Sequence, residues 1–356
     1  MHSAVNMSLL NTSEPSEVTK IYALDFSSWK RSAVCQCFPN VPVVFIANAA
    51  DVPAGGLLLV WGMKPVMGEL AEDVKILRLE DGFLRSVGLG ADLIRPMSWV
   101  VDSRGIYYDA TRPSDLEHLL AKAAFPPEMT ARAALLRQRI VAEGLTKYNV
   151  GSSGWQRPSG VEKVILVPGQ VESDASLVYG APDIRMNIGL LQAVRRANEK
   201  AYIVYKPHPD VLAGLRAKGA GEGEAMHWCD ELVTDAAMGD LLMAVDEVHV
   251  LTSLAGFEAL LRGKSVICYG LPFYSGWGLT KDVVENPRRK RRLSLDELVA
   301  GALIEYPVYL SRMSDALITP EQALDELLAW RAKAGVSVLW WRKCFRIVLR
   351  LVMGVR

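Results

Sequence analysis

The segment from Val164 to Arg216 constrains the fold more than any other part of the chain. An apolar run, Val164–Val167, ends at Pro168-Gly169. Ile188, Leu190, Leu191 and Val194 then recur at helical spacing across Asn187–Asn198, and a second apolar run covers Ala201–Tyr205. Apolar run, amphipathic helix, apolar run is the pattern of a βαβ unit, with parallel strands and a right-handed crossover. Ligands in such sheets bind beyond the carboxyl ends of the strands. Both strand ends here carry ionisable residues: Glu172 and Asp174 after the first, Lys206, His208 and Asp210 after the second. On the plainer alternative Asp174 caps a turn and Lys206 and His208 are surface residues. Two such clusters in one unit favour a site.

A chain of 356 residues, half of them hydrophobic, has room for two domains with a large core. Lys plus Arg equal Asp plus Glu at 40 each, so net charge points to no nucleic acid partner. Five cysteines form no paired framework in a chain of this length, and Cys268 reads as core. A reduced, cytoplasmic setting fits. Cys35-Gln36-Cys37 lacks a second ligand pair, and no metal is expected. The first residues lack a charged region followed by a long apolar stretch, so no signal peptide is expected, and no window reaches the length of a spanning helix.

Strands are expected at Lys20–Phe26, Val43–Ile46, Gly56–Trp61 and Val74–Leu79, spaced as in a doubly wound parallel sheet. The last runs into Glu80-Asp81-Gly82, with Arg85, Gly88 and Gly90 close behind. Chemically, one acid is a general base and Arg85 grips an anion. The bland reading is an Asp-Gly turn with an arginine ion pair. Ser98–Asp102 and Gly105–Asp109 read as a hairpin, followed by helices at Ser114–Ala124 and Met129–Glu143. The Gly/Ser/Pro-rich stretch Gly151–Gly160 marks a domain boundary. Beyond it, strands are expected at Glu231–Thr234, Glu247–Val250 and Ser265–Tyr269, with a helix at Ala237–Ala244. Thr252 or Ser253 caps a helix opening in small residues, whose free N–H groups suit a phosphate. The aromatics and glycines of Gly270–Thr280 suit a planar base or sugar ring, or else fill a seam between domains. Helices are expected at Leu293–Ala302 and Pro320–Trp330. A basic run covers Arg288–Arg292, and Val336–Arg356 sets Trp340, Trp341 and Phe345 among basic residues only, a membrane-surface pattern.

Two Rossmann-like halves, a linker and facing strand-end clusters resemble the layout of GT-B type glycosyltransferases. Glu80-Asp81-Gly82, His208-Pro209 and Thr252-Ser253 resemble the acid-acid-glycine, HP and serine/threonine motifs of bacterial transferases that use CMP-activated ulosonic sugars. The strings DGFLRSVGLG, IYYDATRPSDLE, PGQVESDAS, YKPHPD, GFEALLRGK and PFYSGWGLT resemble the capsular polysaccharide synthesis family of the KpsC type, retaining β-Kdo transferases. The resemblance spans about Asp81 to Thr280.

It implies an α/β, GT-B-like fold, two Rossmann-like domains with parallel sheets facing across a cleft. The expected division is a flexible 1–18, an acceptor-side domain 19–150, a linker 151–160, a donor-side domain 161–310, a C-terminal helix 311–335 and a membrane-associating tail 336–356. It implies Kdo transfer from CMP-Kdo to a lipid-linked or oligosaccharide acceptor, with no cofactor and no metal. The expected setting is the cytoplasmic face of the inner membrane, against an anionic membrane surface. Another CMP-activated ulosonic acid, such as sialic acid, or a non-catalytic export accessory role are the alternatives. Carried onto this chain, Asp174 is the nucleophile. Glu80 or Asp81 deprotonates the acceptor. Lys206, His208, Ser253 and the N–H groups near Leu254 and Gly256 hold the phosphate, and Glu258 the ribose. Arg85 is the candidate for the sugar carboxylate. Ser86, Gln170, Pro209, Tyr274 and Trp277 complete the expected substrate contacts.

Overall fold

The computed structural model describes residues 20–88, 94–149, 151, 154–314 and 316–334. The expectations for residues 1–18, Gly90 and the tail 336–356 fall outside them.

Four parallel strands open the first sheet: β1 (Ile21–Leu24), β2 (Val43–Ile46), β3 (Leu57–Trp61) and β4 (Lys75–Asp81). β5 (Ser98–Asp102) joins β4 antiparallel. The second sheet is parallel throughout: β6 (Val164–Pro168), β7 (Tyr202–Lys206), β8 (Glu231–Leu232), β9 (Glu247–Val250), β10 (Ser265–Cys268) and β11 (Lys281–Asp282), in the order β11-β10-β9-β6-β7-β8. The chain then returns to the first sheet. There β12 (Pro307–Leu310) pairs antiparallel with β5, and β13 (Leu317–Ile318) with β12. The first sheet therefore runs β13-β12-β5-β4-β3-β1-β2 and is mixed, parallel on one side and antiparallel on the other.

A parallel pair needs a long crossover, usually a helix. The described part of the connection from Asp81 to Ser98 has none, so β5 comes back antiparallel. Gly105–Asp109 is not the second strand of a hairpin. The buried Asp102 carboxylate accepts from the N–H of Arg104 (3.0 Å), Gly105 (2.8 Å) and Asp115 (2.9 Å), so the chain turns at the end of β5 and enters the next helix.

The helices are α1 (Ser28–Cys37), α2 (Asp115–Lys122), α3 (Pro127–Ala142), α4 (Ala175–Gly180), α5 (Asn187–Ala197), α6 (Pro209–Leu212), α7 (Met238–Ala244), α8 (Leu254–Leu261), α9 (Leu295–Val299) and α10 (Pro320–Ala334). α2 is capped by Ser114, whose Oγ accepts from Glu117 N at 3.0 Å. α5 buries Leu190, Leu191 and Val194 on the second sheet against Ile165 and Ile203, as its spacing demands. Each such side chain contributes roughly 1.5–3 kcal/mol. α9 passes directly into a wider π-helical turn, Ala300–Glu305, which extends the expected helix.

Pro307–Leu310, assigned by sequence to the second unit, completes the first sheet instead. α10 then docks on α3 through Arg132 and Glu321, bonded at 2.7 and 2.8 Å. The two sheets share one apolar core, in which Leu120 and Ile140 join Leu166, Val248 and Phe257. The basic run 288–292 is part of this joint. Arg288 and Arg289 both grip the buried Glu117 of α2, at 2.6 and 3.0 Å. Among the described residues no helix is long and apolar enough to cross a membrane.

Candidate active site

The strand ends of both sheets open into one cleft of about 1340 Å³. Single ligand sites are commonly about 300–1000 Å³, so the space suits two reactants side by side.

On the first wall, β4 ends in Glu80 and Asp81. Glu80 Oε1 accepts from Asp81 N at 2.9 Å and Oε2 from the Tyr108 hydroxyl at 3.4 Å. Burial, reinforced by the charge of Asp81, lifts the Glu80 carboxyl to about 7. Asp81 is engaged differently, accepting from Arg85 Nε at 2.5 Å. Arg85 also donates to Ser86 Oγ (3.0 Å) and the Ile94 carbonyl (3.2 Å). The arginine ion pair anticipated as the bland reading is therefore present, although Arg85 still lines the cleft. This separates two acids that sequence alone left equivalent: Glu80 is poised near neutrality, and Asp81 holds an arginine. Ser86 is fully buried with its hydroxyl on the Gly88 carbonyl (3.0 Å), behind the wall. Gly82 is required, because a Cβ there would lie 2.5 Å from Ser98 Oγ.

On the second wall, Asp174 is exposed to the cleft and caps α4, its Oδ1 accepting from Ser176 N at 2.8 Å. Capping and cleft exposure thus coexist in one side chain. Glu172 is structural: it accepts from the N–H of Asn187 and Ala220, each at 2.9 Å. Gln170 lines the cleft and locks β6 to the end of β9, bonding Thr252 N (2.9 Å) and Thr252 Oγ1 (3.0 Å).

After β7, Lys206 is buried at the cleft, where desolvation lowers its pKa against the pull of Asp235. His208 Nδ1 accepts from Asp210 N at 3.1 Å, so a neutral ring carries its proton on Nε2. Burial and then Lys147 push His208 down to about 4. At pH 7 His208 is therefore a neutral donor through Nε2–H. Pro209 starts α6 beside it. Ser253 caps α8, accepting from Ala255 N at 3.3 Å, with Leu254 on the cleft wall. Glu258 of α8 accepts from Lys147 N at 2.6 Å, and burial raises it to about 7.

Gly256, Tyr274 and Trp277 are not on the cleft wall. Tyr274 is fully buried, and its hydroxyl donates to the Ser253 carbonyl. It packs where a side chain at position 256 would be. Trp277 is buried with Nε1 on the Phe273 carbonyl at 2.8 Å. The aromatic string fills the seam: Phe273 stacks on Phe83 of the other unit with ring centroids 4.5 Å apart. Several cleft residues escaped sequence reasoning. Tyr107 and Tyr108 were assigned to the hairpin, Lys147 and Tyr148 sit in an unremarkable loop, Trp61 stood in a strand read only as scaffold, and Trp29 and Lys30 carry no motif.

Two α/β units with facing strand ends, an acid pair on one wall and a carboxylate, a Lys/His pair and a capped helix on the other define a GT-B-like architecture. The capsule polysaccharide biosynthesis protein family matches residues 59–150 and 150–311, and the chain belongs to that family. It is 45% identical over 320 residues to the capsule polysaccharide modification protein LipA of Neisseria meningitidis serogroup A, covering 87% of this chain and 45% of the relative. The chain thus spans about half the length of that relative. It is 39% identical over 300 residues to the lipopolysaccharide-processing protein LpsZ of Rhizobium meliloti, covering 79% of this chain and 68% of LpsZ. Among solved structures, the Thermosulfurimonas dismutans KpsC β-Kdo 2,7 transferase is similar at 40% identity and TM-score 0.72, over 87% of this chain and 99% of that one. The β-Kdo 2,4 transferase of the same KpsC is similar at 32% identity and TM-score 0.76, over 88% and 98%.

Proposed function

We propose that the chain is a retaining glycosyltransferase that moves Kdo from a CMP-activated donor to a saccharide or lipid-linked acceptor in capsule polysaccharide biosynthesis. The observation that carries this reading is the meeting, in one cavity, of Glu80, its carboxyl near 7, with the exposed Asp174 and with Lys206 and His208. The likeness to two β-Kdo transferases supports the choice of sugar.

In the proposed reaction, an Asp174 oxygen attacks the anomeric carbon while its bond to the CMP phosphate oxygen breaks. Lys206, the Nε2–H of His208 and the N–H groups at the start of α8 stabilise the departing phosphate. The acceptor hydroxyl then loses its proton to Glu80 and displaces Asp174 from the anomeric carbon. Two inversions give net retention. No metal or cofactor enters this scheme, and chelation is expected to leave turnover unchanged. The direct test is incubation with CMP-Kdo generated in situ and a panel of saccharide and lipid acceptors, with product read by mass. Absence of product with every acceptor, while CMP still binds, counts against transfer.

For the phosphate site, losing one charge-assisted contact costs roughly 1.5–3 kcal/mol. His208→Ala is therefore expected to weaken CMP binding by about tenfold or more in calorimetry. Unchanged affinity removes His208 from the site.

We further propose peripheral attachment through residues 336–356, which carry five Lys/Arg and no acid among Trp340, Trp341, Phe345, Leu351 and Val352. Each basic residue near an anionic bilayer contributes about 1 kcal/mol, screened by salt. The full chain should sediment with phosphatidylglycerol vesicles at low salt and leave them at high salt, and a chain ending at 335 should stay in solution. Salt-independent sedimentation, or sedimentation of the shortened chain, contradicts this.

A further inference from the structure

Tyr108 touches both walls of the cleft. Gly62 follows the Trp61–Leu79 pair of β3 and β4, which sets it beside Glu80. It has a left-handed φ of +49° and no room for a side chain: a Cβ there would lie 2.6 Å from the Tyr108 hydroxyl and 2.7 Å from Glu80 Oε2. The Gly62 N–H bonds to the Leu79 carbonyl (2.9 Å), and the Gly62 carbonyl accepts from Arg78 Nη1 (2.6 Å), so the floor under the pair is fixed. Over this floor the phenol donates to Oε2 at 3.4 Å, while the Asp81 N–H holds Oε1 at 2.9 Å. One carboxyl oxygen is thus held from its own strand and the other by Tyr108.

The main chain beside Tyr108 meets the other wall. Ala110 N donates to the Tyr179 carbonyl at 3.2 Å, and a Cβ on Gly180 would lie 3.3 Å from the Tyr108 carbonyl oxygen. Tyr179 and Gly180 end α4, the helix that Asp174 caps. Asp109 N bonds the Ile106 carbonyl (2.9 Å), and Asp109 Oδ1 accepts from Thr111 N (2.9 Å). The Tyr107 ring packs edge-on to that of Tyr108, with centroids 5.2 Å apart. These contacts fix where the phenol stands.

We infer that Tyr108 is a positioning residue for the transfer step: its hydroxyl aims the Glu80 carboxylate, and its main chain sets that carboxylate against the helix that carries Asp174. The inference rests on the proposed double displacement for the role of Glu80, and on the contacts above for the placement. Burial and the charge of Glu80 raise the phenol above its ordinary value, so it stays a donor across the working range. A donor to the charged form favours that form, and removing it therefore moves the Glu80 inflection up. The other groups acting on Glu80 are Asp81 on its own strand, Lys30 of α1, Lys147 from the loop before the linker, and Tyr107. All of them remain when only the Tyr108 hydroxyl is lost.

Tyr108→Phe keeps the ring and deletes the hydroxyl. Its kcat on the alkaline plateau should fall about tenfold, part of a general base's contribution, with KM for donor and acceptor unchanged. The kcat/KM inflection should rise by about half a unit or more. Formation of the sugar adduct on Asp174 without acceptor should keep its wild-type rate, because Glu80 acts in the second displacement. Added to Glu80→Gln, Tyr108→Phe should cost nothing further, within about twofold, since it acts through Glu80. A ring-fluorinated tyrosine at 108, a stronger donor of nearly the same shape, should move the inflection down, and it tests the same contact should the Phe variant unfold. An inflection unmoved by either change, or a full tenfold loss on top of Glu80→Gln, overturns the inference. Difference infrared titration of the Glu80 carboxyl, assigned by its loss in Glu80→Gln, reads the same shift without turnover. A protein that shows the shift but forms no product fails the proposed reaction and not this placement. One that transfers sugar with the inflection unmoved fails the placement alone.

Discussion

Asp174→Asn is expected to lower transfer by roughly 10⁴-fold or more, the order seen when a covalent nucleophile is removed. The structure makes this a clean substitution. Asp174 is exposed, and its contact in the fold is the cap on Ser176 N. Asn caps a helix as well as Asp does, so α4 keeps its start. An amide cannot form the glycosyl ester that double displacement needs. CMP affinity and thermal stability should therefore stay near wild type while turnover collapses. A variant that turns over within tenfold of wild type, with intact stability, removes Asp174 from the chemistry.

Glu80→Gln is expected to lower transfer by about 10²–10⁴-fold, the usual contribution of a general base. It leaves the Asp81–Arg85 ion pair in place, so a loss reports on Glu80 itself. The sign with pH follows from the raised carboxyl. Below about 7 Glu80 is protonated and cannot accept the acceptor's proton, and above it the carboxylate is available. Wild-type kcat/KM should therefore climb from about pH 6 to about pH 8, with an inflection near 7. Glu258 also titrates at about 7 in the same cleft, so it is the necessary control. Glu258→Gln should keep the inflection, and Glu80→Gln should lose it. The reverse outcome assigns the titration to Glu258.

The second sheet was the legible half. Its strands are short apolar runs separated by an amphipathic helix, and parallel pairing follows from that pattern alone. Asp174, Lys206, His208 and Ser253 follow strand ends, and the fold gathers all four at the cleft. What stayed hidden depended on contacts distant in sequence. Alternation in Ser98–Asp109 reads as two strands, but the buried Asp102 carboxylate takes up the N–H groups beyond it and turns the chain. Tyr107 and Tyr108 reach the cleft for that reason. The return of Pro307–Leu310 to β5 has no local signature, since a strand's pattern does not say which sheet it joins. Tyr274 and Trp277 carry the composition of a sugar platform, and burial shows them to be packing. The choice between Glu80 and Asp81 needed Arg85, whose partner no motif specifies.

The central claim is a covalent sugar on Asp174. The measurement that tests it most directly is mass spectrometry of the Glu80→Gln protein incubated with CMP-Kdo generated in situ and no acceptor. Without its base, the second displacement is slowed and the glycosyl-enzyme should accumulate. The account predicts an intact mass raised by one Kdo residue, with the adduct on the peptide containing Asp174 and absent from the Asp174→Asn, Glu80→Gln double variant. A wild-type enzyme that forms a retained product while no adduct is trapped, or an adduct on any other residue, contradicts it.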